Sequence, residues 1–205
     1  MIRFTFTSFL LSLTTICCAQ SVLWEISGND LEESSYLFGT IHIKDNRVFN
    51  FDEIVFDKMK ECETFAMEIE PTMDNMMAIS KGFMLEDGKT LQDIYSEEDY
   101  AFIKKVVEEN TTMKMAMVNN MKPFALSAVV MESRLQKDKQ VSLDEHLYKS
   151  AQNFGLETKS IETVEEQLAA IESIEAEDIL EYFKDLDKYD VMLEDMVKQY
   201  VNAEL

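Results

Sequence analysis

The sequence predicts an α/β fold: a small, mostly parallel sheet flanked by helices, with a large helical insertion. Strand-like segments occur at 35–38, 64–70 and 157–162, and each is followed by apolar residues at helical spacing, the alternation that builds a parallel sheet. Residues of about 72–154 keep helical spacing throughout, and they form the predicted insertion. A length of 205 residues with 46% hydrophobic residues suits one compact domain.

Local signals place each strand. The first, 35–38, is short and rich in apolar and aromatic residues, whereas 64–70 alternates between apolar and polar positions and is stopped by Pro71. The third strand is entered from Gly155. Residues 24–26 are expected to add an edge strand.

Helix starts are marked by hydroxyl residues followed by acids. The runs 96–99, 142–145 and 163–166 each begin with Ser or Thr and carry Asp or Glu three residues later, which is the pattern of a capping box. The helix from 142–145 is expected to end at Gly155. Residues 178–201 predict two further helices with acidic outer faces.

The charge balance excludes several classes of partner. The chain has 19 Lys and Arg against 40 Asp and Glu, a formal net charge of −21, and such a surface repels phosphate backbones. Nucleic acid and anionic lipid are therefore excluded as predicted partners. With only 5 Gly and 2 Pro, the chain also differs from collagen-like and disordered sequences.

The amino terminus has the pattern of a secretory signal peptide. A short basic start and an apolar stretch fill residues 1–19, and cleavage is expected between Ala19 and Gln20. This predicts export, as a periplasmic or secreted protein. The alternative is a lipoprotein attached through Cys17 or Cys18, and membrane association is expected only in that case.

Methionine is frequent, at 14 residues. The methionines concentrate at Met73, Met76, Met77, Met84, Met113, Met115, Met117 and Met121. Core filling is the favoured interpretation, and a flexible surface that grips apolar ligands is the alternative.

Polar residues at the carboxyl ends of the predicted strands form the candidate site. Ligands of parallel α/β sheets bind there, and the residues at those ends are His42, Glu68, Glu70 and Glu162. Imidazole and carboxylates are ligands for divalent Zn, Mn or Co, and a bound metal would make water a nucleophile. Gly39 is expected to allow a tight turn that directs His42 into the site.

Each of these residues also has a structural interpretation. A histidine after a strand is often held only by hydrogen bonds, and Glu162 is favoured by the dipole of the helix that follows it. One of the two glutamates of the second strand could serve only as a solvated side chain. The second histidine, His146, lies in the first turn of a surface-type helix and is expected to face solvent.

An ordered set of motifs resembles the TraB/GumN family, which is related to the Tiki metalloproteases and to pheromone-shutdown proteins. The motifs are Leu-Trp-Glu-Ile-Ser-Gly at 23–28, Ser-Tyr-Leu-Phe-Gly-Thr-Ile-His at 35–42, Ala-Met-Glu-Ile-Glu-Pro at 66–71, Lys-Pro-Phe at 122–124, Leu-Asp-x-x-Leu at 143–147 and Ile-Glu-Thr-Val-Glu-Glu-Gln-Leu at 161–168. The likeness covers residues 22–205. As an ordered combination it is specific.

The resemblance implies an exported or membrane-associated domain, residues 20–205, with an erythromycin-esterase-like or Tiki-like fold and a divalent-metal hydrolase centre. In the Tiki branch the activity is metal-dependent proteolysis of peptides. Carried over by position, Gly39 and His42 are the Gly-x-x-His motif, His42, Glu68 and Glu70 are the candidate metal ligands, and Glu68 and Glu162 are the candidate catalytic acids.

The sequence departs from the family in one respect. Family members carry a second Gly-x-x-His near the carboxyl end, and this sequence reaches Leu205 without one; His146 lacks the preceding glycine. The expectation is a truncated chain or a natural short form, with an uncovered sheet edge that favours dimerisation.

Three functions therefore compete. The first is metal-dependent hydrolysis of an amide or ester in a peptide or small molecule. The second is binding or scavenging of a peptide or signal molecule without cleavage, and the third is an inactive fragment of a longer enzyme.

Overall fold

The computed structural model describes residues 21–202. Its strands are β1 (Leu23–Ile26), β2 (Ser35–Phe38), β3 (Thr64–Met67) and β4 (Glu157–Ser160). Its helices are α1 (Ile54–Glu61), α2 (Met73–Gly82), α3 (Glu97–Asn110), α4 (Met115–Val118), α5 (Pro123–Arg134), α6 (Leu143–Phe154), α7 (Val164–Glu172), α8 (Ala176–Lys184) and α9 (Leu186–Val201). The predicted mixture of helices with a small parallel sheet is confirmed, and β3 and β4 are separated by α2 to α6.

Several predictions concern residues outside the described range. These are the signal peptide of residues 1–19, its cleavage between Ala19 and Gln20, and the lipidation of Cys17 or Cys18. Within 21–202, no helix combines the length and apolar character that a membrane span requires.

The strands form two small sheets, where the sequence predicted one. β1 and β2 pair antiparallel, whereas β3 and β4 pair parallel, with Thr64 opposite Glu157. The turn after β1 explains the difference: Gly28, Asn29 and Asp30 have positive φ angles of 89°, 50° and 64°. Glycine, asparagine and aspartate tolerate this left-handed backbone, so the chain folds back and β2 pairs with β1.

The parallel pair extends beyond the strand ends. The amide of Ile161 donates to the carbonyl of Met67 at 2.8 Å, and the amide of Glu162 donates to the carbonyl of Glu68 at 3.0 Å. These two bonds continue the hydrogen-bond ladder by two residues beyond the end of each strand. The backbone of Glu68 is therefore held in register although β3 ends at Met67.

Most of the predicted helix ends are confirmed. Ser96 accepts a hydrogen bond from the amide of Asp99, and the capping box of Thr163 and Glu166 is formed on both sides. Gly155 ends α6 in the left-handed conformation, at φ 82°. The capping box predicted at 142–145 is wrong, because Ser142 precedes α6 without any side-chain capping bond.

Two apolar cores support the fold. One lies among α3, α4, α5 and α8, and its largest fully buried side chains are Leu91, Ile103, Met115, Leu126, Val107 and Val130. The other joins α1, α6 and α9 to the segment after β2, and it includes Ile41, Ile43, Val48, Leu143, Leu147, Ala151 and Val197. Each such side chain contributes about 1.5–3 kcal/mol through burial. The second core lies directly beneath the candidate site.

Polar contacts tie α9 to the segment after β2. The hydroxyl of Tyr200 donates to the carbonyl of Gly39 at 2.8 Å. Arg47 bonds the buried carboxylate of Asp45 and pairs with Glu194 of α9 at 2.8 Å. The hydrogen bond from Arg47 lowers the pKa of Asp45. The last described helix therefore braces the backbone that carries the candidate histidine.

The methionines do not all fill the core. Met115 is buried, in agreement with the favoured interpretation, whereas Met73, Met76 and Met77 on α2 are 72%, 56% and 63% exposed. The reason is that α2 contributes no buried residue. Met73, Met76 and Met77 therefore lie on the solvent-exposed surface of α2.

We expect Tyr200→Phe to lower the free energy of unfolding by about 1 kcal/mol, because the hydrogen bond from this buried tyrosine to the carbonyl of Gly39 is lost. Urea unfolding followed by circular dichroism measures this. Tyr182→Phe is the matched control, since this half-buried tyrosine forms no hydroxyl bond within residues 21–202. Equal stability of both variants and the natural chain would contradict the bracing role of Tyr200.

Candidate functional site

A cleft of about 1310 Å³ lies between β2 and β3. Two continuous stretches of chain line it, residues 33–40 on one side and residues 61–69 on the other. His42 and Asp144 also line it. Two of the predicted site residues, His42 and Glu68, lie in this cleft.

His42 lies between two carboxylates. Its Nδ1 is 2.8 Å from Oδ2 of Asp144, and its Nε2 is 3.5 Å from Oε2 of Glu68. The His42 and Glu68 side chains are 61% and 58% exposed, whereas that of Asp144 is 10% exposed. The Nδ1 edge of the imidazole is thus anchored to the protein by Asp144, and the Nε2 edge is directed into the cleft.

The local sequence explains why His42 points outward. Ile41 and Ile43 on either side of it are buried, with 9% and 6% exposure. The amide of Ile43 donates to the carbonyl of Ile41 at 2.8 Å, which makes a tight turn with His42 at its centre. Burying the two isoleucines in the core beneath therefore directs His42 into the cleft.

Asp144 is buried in the first turn of α6. The Thr40 hydroxyl donates to its Oδ1. Its Oδ2 is close to His42, but the N–H bond is not aimed at this oxygen, so by strict geometry Oδ2 lacks a hydrogen-bond partner. The 2.8 Å separation nevertheless puts the two atoms within hydrogen-bond reach. A small ring rotation aligns such a pair, and hydrogen bonds of this kind often tighten only when substrate binds.

The two groups shift each other's proton affinity. Hydrogen bonding to Asp144 raises the pKa of His42 above 6.5 despite the opposing effect of burial, and the charges of Asp144 and Glu68 add to the rise. Burial alone would raise the pKa of Asp144. Bonds from His42 and Thr40 outweigh it, and the pKa of Asp144 is lowered. A charged carboxylate therefore holds the imidazole.

The other two predicted acids have hydrogen-bond partners other than His42. Glu70 accepts a hydrogen bond from the Thr158 hydroxyl at 2.6 Å, and Glu162 accepts one from the Gln167 side chain at 2.6 Å. Among the described residues, only Asp144 and Glu68 form ion pairs with His42. The structure thus brings His42 and Glu68 together, and it links Glu162 to Glu68 only through the backbone.

Asp144 was missed by the sequence analysis, which treated it as part of a helix cap. A signal was present: Asp144 directly follows Leu143, and the apolar positions of that helix predict burial of this turn. A buried acid without a capping role needs a partner. The partners, Thr40 and His42, are about a hundred residues away in sequence.

Two smaller expectations also change. Gly39 does not adopt positive φ, and a Cβ there would meet only the Val22 carbonyl oxygen, at 3.9 Å, so the backbone does not require a glycine turn. His146 is half-buried instead of solvent-facing, because its ring packs against Phe49 and Phe56 at centroid distances of 5.5 and 6.0 Å.

His42 and Glu68 are the two side chains that could share a metal ion. One contributes the Nε2 lone pair left when Nδ1 bonds Asp144, and the other contributes a carboxylate. Across residues 21–202, no cluster of three or more His, Cys, Asp or Glu with metal-binding geometry occurs.

We expect Asp144→Asn to lower the pKa of His42 toward 6.5, because it removes the charge and the acceptor that raise it. The two histidines give separate NMR titrations in chelator-treated protein. His146 is the internal control, since burial, with Lys139 and Lys149, holds its pKa below 6.5 in both proteins.

The same shift predicts how stability depends on pH. Between 6.5 and the raised pKa of His42 the folded chain binds more protons than the unfolded chain, so the contribution of His42 to stability is lost as pH rises through that interval. In Asp144→Asn this loss should become smaller, because the main cause of the raised pKa is removed. An unchanged His42 titration in the variant would show that Asp144 does not hold the imidazole.

Comparison with known proteins identifies the family. The profile of the TraB/PrgY/gumN family matches residues 22–205. No curated protein and no solved structure matches the chain significantly. Because the family match spans nearly the whole sequence, the chain belongs to the TraB/PrgY/gumN family.

Proposed function

We propose that this protein is an exported, divalent-metal-dependent hydrolase that cleaves an amide or ester bond in a peptide or small molecule. The observation that carries the proposal is the position of His42 between a buried carboxylate and an exposed one, inside a large cleft. Perturbed titratable groups that converge in a cleft are typical of active sites.

The residues present fit a divalent cation. Neutral imidazole and ionised carboxylate are the usual protein ligands of zinc, manganese and cobalt. Histidines that bind metals commonly donate their other ring N–H to a carboxylate, and Asp144 occupies that position relative to His42. In this proposal His42 and Glu68 hold the cation.

Each residue then has a distinct task. A bound cation supplies Lewis acidity toward a substrate carbonyl. Asp144 keeps the proton of His42 on Nδ1, and so leaves the lone pair of Nε2 free to bind the cation. Glu68 faces the cleft with an exposed carboxylate, and it is placed to accept a proton from water. Glu162 supports Glu68 through the backbone bond between them.

We expect His42→Ala to weaken binding of Mn²⁺, Co²⁺ or Zn²⁺ by about tenfold or more and to abolish metal-dependent hydrolysis, because one of two ligands is lost. Isothermal titration calorimetry and a peptide cleavage assay measure the two effects. His146→Ala, which removes the only other histidine, should change neither. Unaltered turnover in His42→Ala would refute a hydrolase at this site.

Glu70 is the third metal ligand that the family resemblance implies, and a pair of variants tests that assignment. We expect Glu68→Gln to weaken metal binding by about tenfold, because its carboxylate faces His42. Glu70→Gln should leave affinity unchanged, because this side chain bonds Thr158. Calorimetric titration with Mn²⁺ compares them, and the reverse order of effects would assign the ligand role to Glu70.

A further inference from the structure

A second pocket, of about 340 Å³, lies apart from the cleft, and within residues 21–202 the two share no lining residue. Phe49, Phe51 and Phe56 line it, and we call it the aromatic pocket. Its volume is at the lower end of the range for small-molecule sites, which is about 300–1,000 Å³. A single small molecule is therefore a fitting occupant.

The rings of the aromatic pocket form one connected set. Phe51 and Phe56 are 5.5 Å apart between ring centroids, and the His146 ring contacts Phe49 and Phe56 at 5.5 and 6.0 Å. All three phenylalanines are half-buried, so each ring keeps an exposed part. The contacts are tilted or edge-to-face, which aromatic rings prefer. A further ring bound in the pocket would extend this set.

A lysine is held at the pocket without an ion-pair partner. The backbone amide of Lys139 donates to the carbonyl of Lys44 at 3.0 Å, which fastens the loop before α6 to the segment after β2. Its Nζ lies over the Phe49 ring, 5.2 Å from the centroid. Lys44 and Lys137 both pair with Glu132, whereas Lys139 pairs with no carboxylate of residues 21–202. An anionic group is the complement of this ammonium.

A carboxylate without a partner also lines the pocket. Glu53 directly precedes α1, but its side chain forms no capping hydrogen bond. Asp52 has that role instead, since its Oδ1 accepts a hydrogen bond from the amide of Ile54 at 2.9 Å. Within the described range 21–202, Glu53 forms no ion pair, with Lys139 or with any other base. The pocket therefore carries one anion and one cation that do not pair with each other.

His146 adds no charge to the pocket at neutral pH. Burial, followed by the charges of Lys139 and Lys149, lowers the pKa of its imidazole below 6.5. The His146 ring is therefore a neutral part of the wall, and its NMR signals report on what enters the pocket.

We propose that the aromatic pocket binds a free amino acid with an aromatic side chain. The ring packs against the phenylalanines, the α-carboxylate lies at Lys139 and the α-ammonium lies at Glu53. A free amino acid carries both charges on one carbon beside its side chain, which matches a small pocket with a cation, an anion and an aromatic wall. A residue in the middle of a peptide lacks both charges, so the pocket selects the free molecule. This site is independent of the proposed hydrolase.

Binding is tested by NMR on the full chain in the presence of chelator. L-Phenylalanine is titrated to about 10 mM while the ring signals of the two histidines are followed. The His146 signals should shift, with half-saturation at about 1 mM or below, because this ring borders the pocket. His42 lies in the cleft and should not respond. A shift of His42 alone, or the absence of any shift of His146, would overturn the proposal.

Three analogues divide the ligand into its parts. 3-Phenylpropionate lacks the ammonium, 2-phenylethylamine lacks the carboxylate and L-alanine lacks the ring. Each should bind about tenfold more weakly than L-phenylalanine, since each loses a charge-assisted contact or the aromatic contact. Equal affinity for 3-phenylpropionate would remove Glu53 from the site and would overturn the assignment of a free amino acid.

Charge variants connect each contact with its residue. Lys139→Gln should weaken binding of L-phenylalanine about tenfold and should not weaken binding of 2-phenylethylamine, which has no carboxylate to lose. Glu53→Gln should have the same effect on L-phenylalanine and should not weaken binding of 3-phenylpropionate. The controls are Lys137→Gln in the same loop and Glu86→Gln, both exposed and outside the pocket, and they should bind L-phenylalanine as the natural chain does. Equal weakening in the controls would show that overall charge governs binding, and the assigned contacts would then be wrong.

Discussion

The site depends on one buried carboxylate. Asp144 is held beneath the cleft by the apolar residues of α6, including Leu143 and Leu147, which are 0% and 3% exposed. An ionised carboxylate in that position is costly unless its oxygens are bonded, and Thr40 and His42 supply the partners. Packing of the helix therefore fixes the acid, and the acid in turn fixes the imidazole.

The groups that fix the geometry of the site differ from the groups that are exposed in the cleft. The groups that set geometry, Asp144 and the backbone of Glu68, are buried or bonded within the sheet. The groups that meet solvent, the His42 ring and the Glu68 carboxylate, are more than half exposed. A site built in this way is preorganised from below and open to a ligand from above.

Local features of the fold were predictable because they depend on local chemistry. Strand positions, the Thr163 capping box and the Gly155 helix end follow from residues that are neighbours in sequence. The pairing of the strands was not predictable in this way. Strand alternation could not show that β2 pairs with β1, since that choice depends on the turn at 28–30.

The candidate site was predictable in part for the same reason. His42 and Glu68 follow strands whose ends meet, so position alone placed them together. Asp144 comes from a helix, and its sequence pattern equally suits a cap, so only tertiary packing distinguishes the two roles. The carboxylates of Glu70 and Glu162 do not pair with His42. They accept hydrogen bonds from the side chains of Thr158 and Gln167 instead.

The bond between Tyr200 and Gly39 joins positions 161 residues apart in sequence, and Thr40 and Asp144 are separated by 104. Contacts of such separation form late, because the loop between them must close first. A chain emerging from the ribosome therefore cannot join Thr40 to Asp144 until α6 is made, and the bond from Tyr200 to Gly39 follows only when α9 is complete. The residues of the cleft are therefore held in place only after most of the chain has been synthesised.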